Sequence, residues 1–132
     1  MSSSEAEILN ELNNWFSAIA SEDPDKVVLL YSRDAILQST LQSQPKKVHV
    51  DIFHYFAAKL LPMKPRGIRN SHNVRIFDEM AINTGLYDFD IDLSPCPQNG
   101  KAERGIVEAR YTFVYRKISD NNWIIVEHHS SS

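Results

Sequence analysis

The chain has 132 residues, 42% of them apolar and 23% charged, with a formal net charge of -3. That length suits one domain, residues 1–132, able to bury roughly two-thirds of its unfolded surface. The slight acidity leaves no clustered basic face for nucleic acid, and no stretch approaches the ~20 apolar residues of a membrane span.

The N-terminus, Met1-Ser2-Ser3-Ser4-Glu5, lacks the basic and apolar regions of a secretory signal. Ser4 and Glu7 match a capping box, which predicts a helix start satisfied by side chains. Ile8, Leu9, Leu12, Trp15, Phe16 and Ile19 follow at helical spacing and predict one apolar stripe. Asp23-Pro24 restarts the chain as N-cap and first helical residue, predicting a short helix through Val27, Val28 and Leu30. Ala35 to Gln38 reads as a short strand, and Leu41 to Lys47 as a polar loop. Asp51 is placed to cap a third helix carrying Ile52, Phe53, Phe56 and Leu60, stopped by Pro62 and Pro65.

The second half has the patterning of a sheet. Ile68 to Phe77 is expected to be one strand, with a turn at Asp78-Glu79. In the strand predicted over 81–93, Gly85, Tyr87, Phe89, Ile91 and Leu93 share one face, while Asp88, Asp90 and Asp92 share the other. Residues 94–101 read as a loop. It holds Cys96, the only cysteine, between Pro95 and Pro97; with no possible disulfide within the chain, this suggests a reducing, cytoplasmic setting and an inert thiol. Residues 106–131 predict a hairpin turning at Ser119-Asp120-Asn121-Asn122. In its first run Val107, Ala109, Tyr111, Phe113 and Tyr115 alternate with Glu108, Arg110, Thr112, Val114 and Arg116. Helices followed by a four-stranded antiparallel meander give an α+β domain, the helical stripe packed on the apolar sheet face.

The order α-α-β-α-β-β-β-β and the Trp15-Phe16 pair resemble the nuclear-transport-factor-2-like cone fold, in which N-terminal helices pack on a curved, mostly antiparallel sheet. Five strings are more specific: Y-S-R-D-A-I-L (31–37), I-F-H-Y-F (52–56), G-L-Y-D-F (85–89), A-R-Y-T-F-V-Y-R-K (109–117) and W-I-I-V-E-H-H-S-S (123–131). They resemble the association domain of calcium/calmodulin-dependent protein kinase type II and its stand-alone relatives. The resemblance implies a self-assembling hub whose partner is itself, in a large homo-oligomeric ring, or a related kinase's association domain. It brings no kinase or calmodulin-binding segment, because no Gly-rich loop, H-R-D or D-F-G string is present. The arginine cluster of the animal hub pocket is not carried over: Tyr87 or Phe89, Phe113 and Ser130 occupy those positions. Glu127 also replaces a histidine of the H-H-H-S-S ending usual in stand-alone relatives.

Two functional readings follow. In the hub reading, the row Asp88 and Asp90 (with Asp92) and the row Arg110, Thr112, Val114 and Arg116 form an interface, the acids opposite Arg110 and Arg116. In the enzyme reading (isomerase, cyclase or dehydratase type), Trp15, Tyr87, Tyr111, Phe113, Tyr115 and His128 wall a pocket for a small molecule. Glu127 or His128 would then be the general base, whichever faces inward. No cofactor motif appears. A calcium loop starting at Asp88 fails, since Leu93 and Asn99 stand where glycine and glutamate are required. His128 and His129 are adjacent, so they point to opposite faces of a strand; His49, His54 and His72 have no ligand spacing, and no metal site is expected.

Overall fold

The computed structural model describes residues 3–39, 45–47, 49–92 and 104–131. Helix α1 (Ser3–Ala20) is followed by α2 (Pro24–Val28), strand β1 (Tyr31–Gln38) and helix α3 (His49–Tyr55). Strands β2 (Arg66–Arg69), β3 (Asn73–Phe77), β4 (Met80–Asp92), β5 (Arg104–Ser119) and β6 (Asn122–Ser131) complete the chain. The expected cysteine loop and Leu93 lie outside the described residues, as does most of the loop over 41–47.

The sheet is larger than a four-stranded meander. Its order is β1-β6-β5-β4-β2, with β3 also on β4, and β1 runs parallel to β6. The expected strand over 68–77 is two strands: β2 pairs with Tyr87–Asp90 and β3 with Met80–Thr84. Between them the Ser71 carbonyl crosses over Gly85, where an added Cβ would lie 2.2 Å from it. Only a residue without Cβ admits that approach. Asn70 and Ser71 donate their backbone N–H groups to the Leu86 carbonyl, and Leu86 donates back to Ser71 Oγ. The bend is thus closed by hydrogen bonds.

The helices sit on the concave face. Ile8, Leu12, Trp15 and Ile19 are buried against the sheet, as the stripe predicts, with Phe16 half-buried over Gly67. Helix α1 already includes Ser3, so Ser4 lies inside its first turn, not at the cap; the Glu7 carboxylate instead accepts from Trp123 Nε1 at 2.9 Å. Asp23 caps α2 as expected, accepting from the Asp25 N–H at 3.0 Å, but the helix ends at Val28. Helix α3 begins before Asp51 and runs on through a π-turn (Phe56–Leu60) and a 3₁₀ turn (Leu61–Met63) that includes Pro62. It stops at Lys64, which is left-handed at φ 50°.

The long hairpin turns at Asp120-Asn121, and β5 presents Ala109, Tyr111, Phe113 and Tyr115 to the core. Strand β6 changes parity part-way. Val114 pairs with Glu127 but Tyr115 with Ile125, so β6 holds one extra residue, a β-bulge at Val126. Trp123 and Ile125 face inward before it, His128 and Ser130 after it.

Candidate functional site

A cavity of about 60 Å³ opens between α1, the continuation of α3 and the concave face of the sheet. Trp15 comes from α1, and Tyr55, Phe56, Leu60 and Met63 come from α3 and its turns. The π-turn matters here: a widened turn rotates Phe56 and Leu60 onto the cavity. Strands β4 to β6 add Tyr87, Phe89, Ile91, Val107, Ala109, His128 and Ser130, and β1 adds Leu37 with the following Ser39. Ser39 Oγ and Tyr55 Oη are hydrogen-bonded to each other.

His128 organises the polar part of this wall. Its Nδ1 is 2.7 Å from Tyr31 Oη and its Nε2 is 3.2 Å from Tyr87 Oη. Its ring stacks on Phe113 at 3.9 Å between centroids and meets Trp15 edge-on. Trp15 Nε1 donates to Tyr31 Oη at 3.0 Å, and Ser130 is a side-chain partner of the Tyr87 hydroxyl. Direction follows from Trp15, which can only donate. Tyr31 accepts from Trp15 and donates to His128 Nδ1, so Nε2 carries the imidazole proton and donates to Tyr87. The opposite tautomer would leave the Tyr31 proton with no acceptor in this chain of bonds.

These groups are neutral. Burial pushes the His128 pKa down from 6.5 to about 3, with nearby His129 adding to the effect. Burial likewise raises the pKa values of Tyr31, Tyr55 and Tyr87. A general base works best with a pKa near the working pH, so an imidazole held so low is a poor one. Glu127 is on the outer face opposite Val114 and does not line the cavity. No carboxylate lines it among the described residues.

The aromatic residues predicted as pocket wall divide into two groups. Trp15, Tyr87 and His128 line the cavity. Tyr111, Phe113 and Tyr115 do not, because the concave sheet carries them away from the mouth. Tyr111 donates to the Ser71 carbonyl at 2.9 Å, and burial pushes its pKa up to about 12. Phe113 backs His128, and Tyr115 is fully buried with its hydroxyl unpartnered among the described residues. Tyr31 and Tyr55 were not singled out for the site from the sequence. The burial along β1 does not alternate cleanly, so periodicity could not place Tyr31 inward.

The outer face of the sheet differs in character. Asp88, Asp90, Arg110, Thr112, Val114 and Arg116 all lie on it, but the expected pairing is displaced. Arg110 stands opposite Leu86 and Arg116 opposite Met80, while Asp88 faces Glu108 and Asp90 faces Ile106. The antiparallel register slides the acids past the arginines by one to several rows. Asp90 is paired instead with Arg104, 2.9 Å away. Ile68, Phe77, Met80, Leu86, Ile106 and Ile118 stand on this face, from 36% exposed at Met80 to 57% at Ile106. They are six of the eight exposed large apolar side chains among the described residues, so the apolar surface is concentrated here.

Against known proteins, the family model for the calcium/calmodulin dependent protein kinase II association domain matches residues 4–132. The chain belongs to that association-domain family. A solved structure from Xanthomonas campestris, assigned to the same association domain, is 36% identical with a TM-score of 0.82. The alignment covers 96% of this chain and 85% of that one. The hub homology domain of the alga Chlamydomonas reinhardtii is 23% identical, with 98% of each chain covered and a TM-score of 0.72. A ketosteroid isomerase-like protein from Erwinia carotovora atroseptica is 12% identical, covering 99% of this chain and 97% of that one at a TM-score of 0.78. At those two identities the likeness shows the fold alone, which is nuclear-transport-factor-2-like. No curated protein matches the chain. Among the described residues this association domain has no helix long and apolar enough to cross a membrane, and no metal-binding group of three ligands.

Proposed function

We propose that this association domain is a self-assembling hub that closes into a homo-oligomer through the outer face of its sheet. The observation that carries the reading is two apolar groups exposed on one face: Ile68, Leu86 and Ile106 toward one end, and Phe77, Met80 and Ile118 toward the other, with Thr84, Thr112, Ile82 and Val114 in the rows between. Exposed apolar surface gathered on one sheet face marks an interaction site, and interfaces combine apolar contacts with polar groups. Its partner is a second copy, or the association domain of a related kinase. The test is the native mass of the wild-type chain. A multiple of the chain mass is expected; a single-chain mass across the micromolar range sinks the hub.

The cavity favours a second role, the binding of a small uncharged molecule. Its wall is mostly apolar, and its polar groups are neutral donors and acceptors. Chemistry there has weaker support, because neither predicted base is placed to act: Glu127 is outside and His128 is held neutral between two tyrosines. Once a ligand is found by thermal-shift screening, unchanged turnover in both Glu127→Gln and His128→Ala would end the catalytic version.

A further inference from the structure

We propose that the cavity takes a small neutral carbonyl compound, such as a ketone or lactone, whose oxygen accepts a hydrogen bond from Tyr87 Oη. The inference rests on the small-molecule reading of the cavity and names the chemistry which that reading leaves open. Its basis is the direction of the hydrogen bonds behind the wall. Trp15 Nε1 can only donate, so Tyr31 Oη accepts there and gives its own proton to His128 Nδ1, 2.7 Å away. The imidazole proton is then on Nε2, which donates to Tyr87 Oη at 3.2 Å. Every bond in this run points the same way, from the buried Tyr31 toward the cavity. Tyr87 therefore accepts from behind and keeps its own proton to give on the wall that it shares with Ser130. Ser130 is a hydroxyl, able to donate to Tyr87 as well as accept from it, so it leaves the Tyr87 proton available to a ligand.

The rest of the wall narrows the class. At about 60 Å³ the cavity has room for about four to six non-hydrogen atoms. Among the described residues no lysine, arginine, aspartate or glutamate lines it, so a charged ligand would lose its hydration and meet no counter-ion. Leu37, Phe56, Leu60, Phe89, Ile91 and Val107 offer apolar contact to the body of a ligand. The other polar pair on the wall, Ser39 and Tyr55, is hydrogen-bonded within itself. A hydrocarbon would leave the Tyr87 proton without a partner in a site shut off from water, which is costly. An alcohol brings a proton that needs an acceptor of its own. A carbonyl group brings an acceptor oxygen, no proton and no charge.

The test uses the whole chain and compounds of similar size: cyclopentanone, methylenecyclopentane, which keeps the shape without the acceptor, and cyclobutanecarboxylate. Calorimetric titration of the wild type is expected to show binding of cyclopentanone and none of the carboxylate. Tyr87→Phe is expected to weaken cyclopentanone about three- to tenfold, while methylenecyclopentane binds as well or better. Comparing two ligands across one substitution cancels their differing hydration and any general disturbance of the wall. Two measurements on the wild type keep the test open should that variant fail to fold. Nitrogen NMR of His128 is expected to find the proton on Nε2, and the infrared carbonyl stretch of bound cyclopentanone is expected to lie below its position in hexane. The proposal is overturned if Tyr87→Phe changes both neutral ligands alike, or if the carboxylate binds as tightly as the ketone. It is also overturned by a proton on Nδ1, which would turn the Tyr87 proton back toward the imidazole, or by a stretch unmoved from hexane. A wild type that binds methylenecyclopentane but not cyclopentanone overturns the donor and keeps the cavity as a binding site. One that binds neither overturns the small-molecule reading as well.

Discussion

The two faces of the same sheet are finished to different degrees. On the concave side, Trp15, Tyr31, His128, Tyr87 and Ser130 are linked in one run of hydrogen bonds and covered by helices. On the convex side, Leu86 and Ile106 are exposed, and Asp88 Oδ1 is shielded but unpaired. Burying an unpaired polar atom costs about 1–3 kcal/mol, so a fold that tolerates one usually meets it with a partner. Inside, Asn83 Nδ2 and the Tyr115 hydroxyl are likewise unpaired among the described residues, so what separates the two faces is cover: helices close the concave side, while the convex side keeps exposed apolar side chains. Under the proposed function that contrast puts assembly outside and stability inside, and it is open to being broken from either side.

The largest effect is expected outside. Leu86→Glu combined with Ile106→Glu should reduce the native mass to the single chain, because two like charges would enter the proposed interface. Thermal unfolding of the resulting monomer, compared with wild type diluted to dissociation, should differ by no more than about 0.5 kcal/mol per substitution. Full mass in this variant would mean that the apolar row is merely solvated. A mass loss accompanied by gross unfolding would mean that the face stabilises the single chain after all.

Inside, the expected effect is on stability and depends on pH. His128 is neutral in the folded chain down to a pH of about 3, against 6.5 for the free group. Below pH 6.5 the unfolded chain takes up a proton that the folded chain refuses, so stability is present above that pH. It is lost progressively as pH falls toward 3. The slope contributed by one such group is at most about 1.4 kcal/mol per pH unit. His128→Phe should remove that slope, and at neutral pH it should cost about 1–3 kcal/mol by leaving the Tyr31 and Tyr87 hydroxyls without their shared partner. Equilibrium denaturation between pH 4 and 8 would show it, and parallel wild-type and variant curves would refute the buried neutral imidazole.

A loss of similar size at neutral pH, without the pH slope, is expected at the bend between β2 and β3. In Gly85→Ala the new Cβ would sit 2.2 Å from the Ser71 carbonyl oxygen and 2.9 Å from Tyr111 Oη, which is bonded to that same oxygen. Relief requires moving backbone, so a destabilisation of roughly 1–3 kcal/mol is expected, with assembly retained once the chain is folded. Denaturant midpoints would measure it. A neutral result would mean that the segment over 70–72 yields freely.

Much of the fold was legible because it rests on periodicity. The α1 stripe, the Asp23-Pro24 restart, the alternation along β4 and β5 and the final turn are all local patterns, and the structure follows them. The site was harder to read because it depends on departures from pattern. Strict alternation from Trp123 and Ile125 would carry Glu127 inward; the bulge at Val126 turns His128 inward instead, and no local residue preference announces it. Nothing in the string Y-S-R-D-A-I-L announces that Tyr31 will meet His128, 97 positions away. Cross-strand partners were missed for a similar reason. Which acid faces which arginine depends on register between strands, and a strand's own alternation is silent about that.

The smallest expected effect concerns the first helix, where the sequence suggested one role for Glu7 and the structure assigns another. A capping box would have Glu7 reach back to the start of its own helix, an interaction indifferent to anything on β6. The structure has its carboxylate accepting from Trp123 Nε1, joining α1 to the strand that carries His128. The two roles predict different couplings. Glu7→Ala and Trp123→Phe would each lower stability, the second partly by shrinking a buried ring. In a double-mutant cycle the ring's own loss cancels, leaving the interaction between the two side chains. A part-buried hydrogen bond to a carboxylate should leave a coupling of about 0.5–1.5 kcal/mol, against none for a helix cap. Additive losses would return Glu7 to the cap, and α1 would then be held to the sheet by its apolar stripe alone.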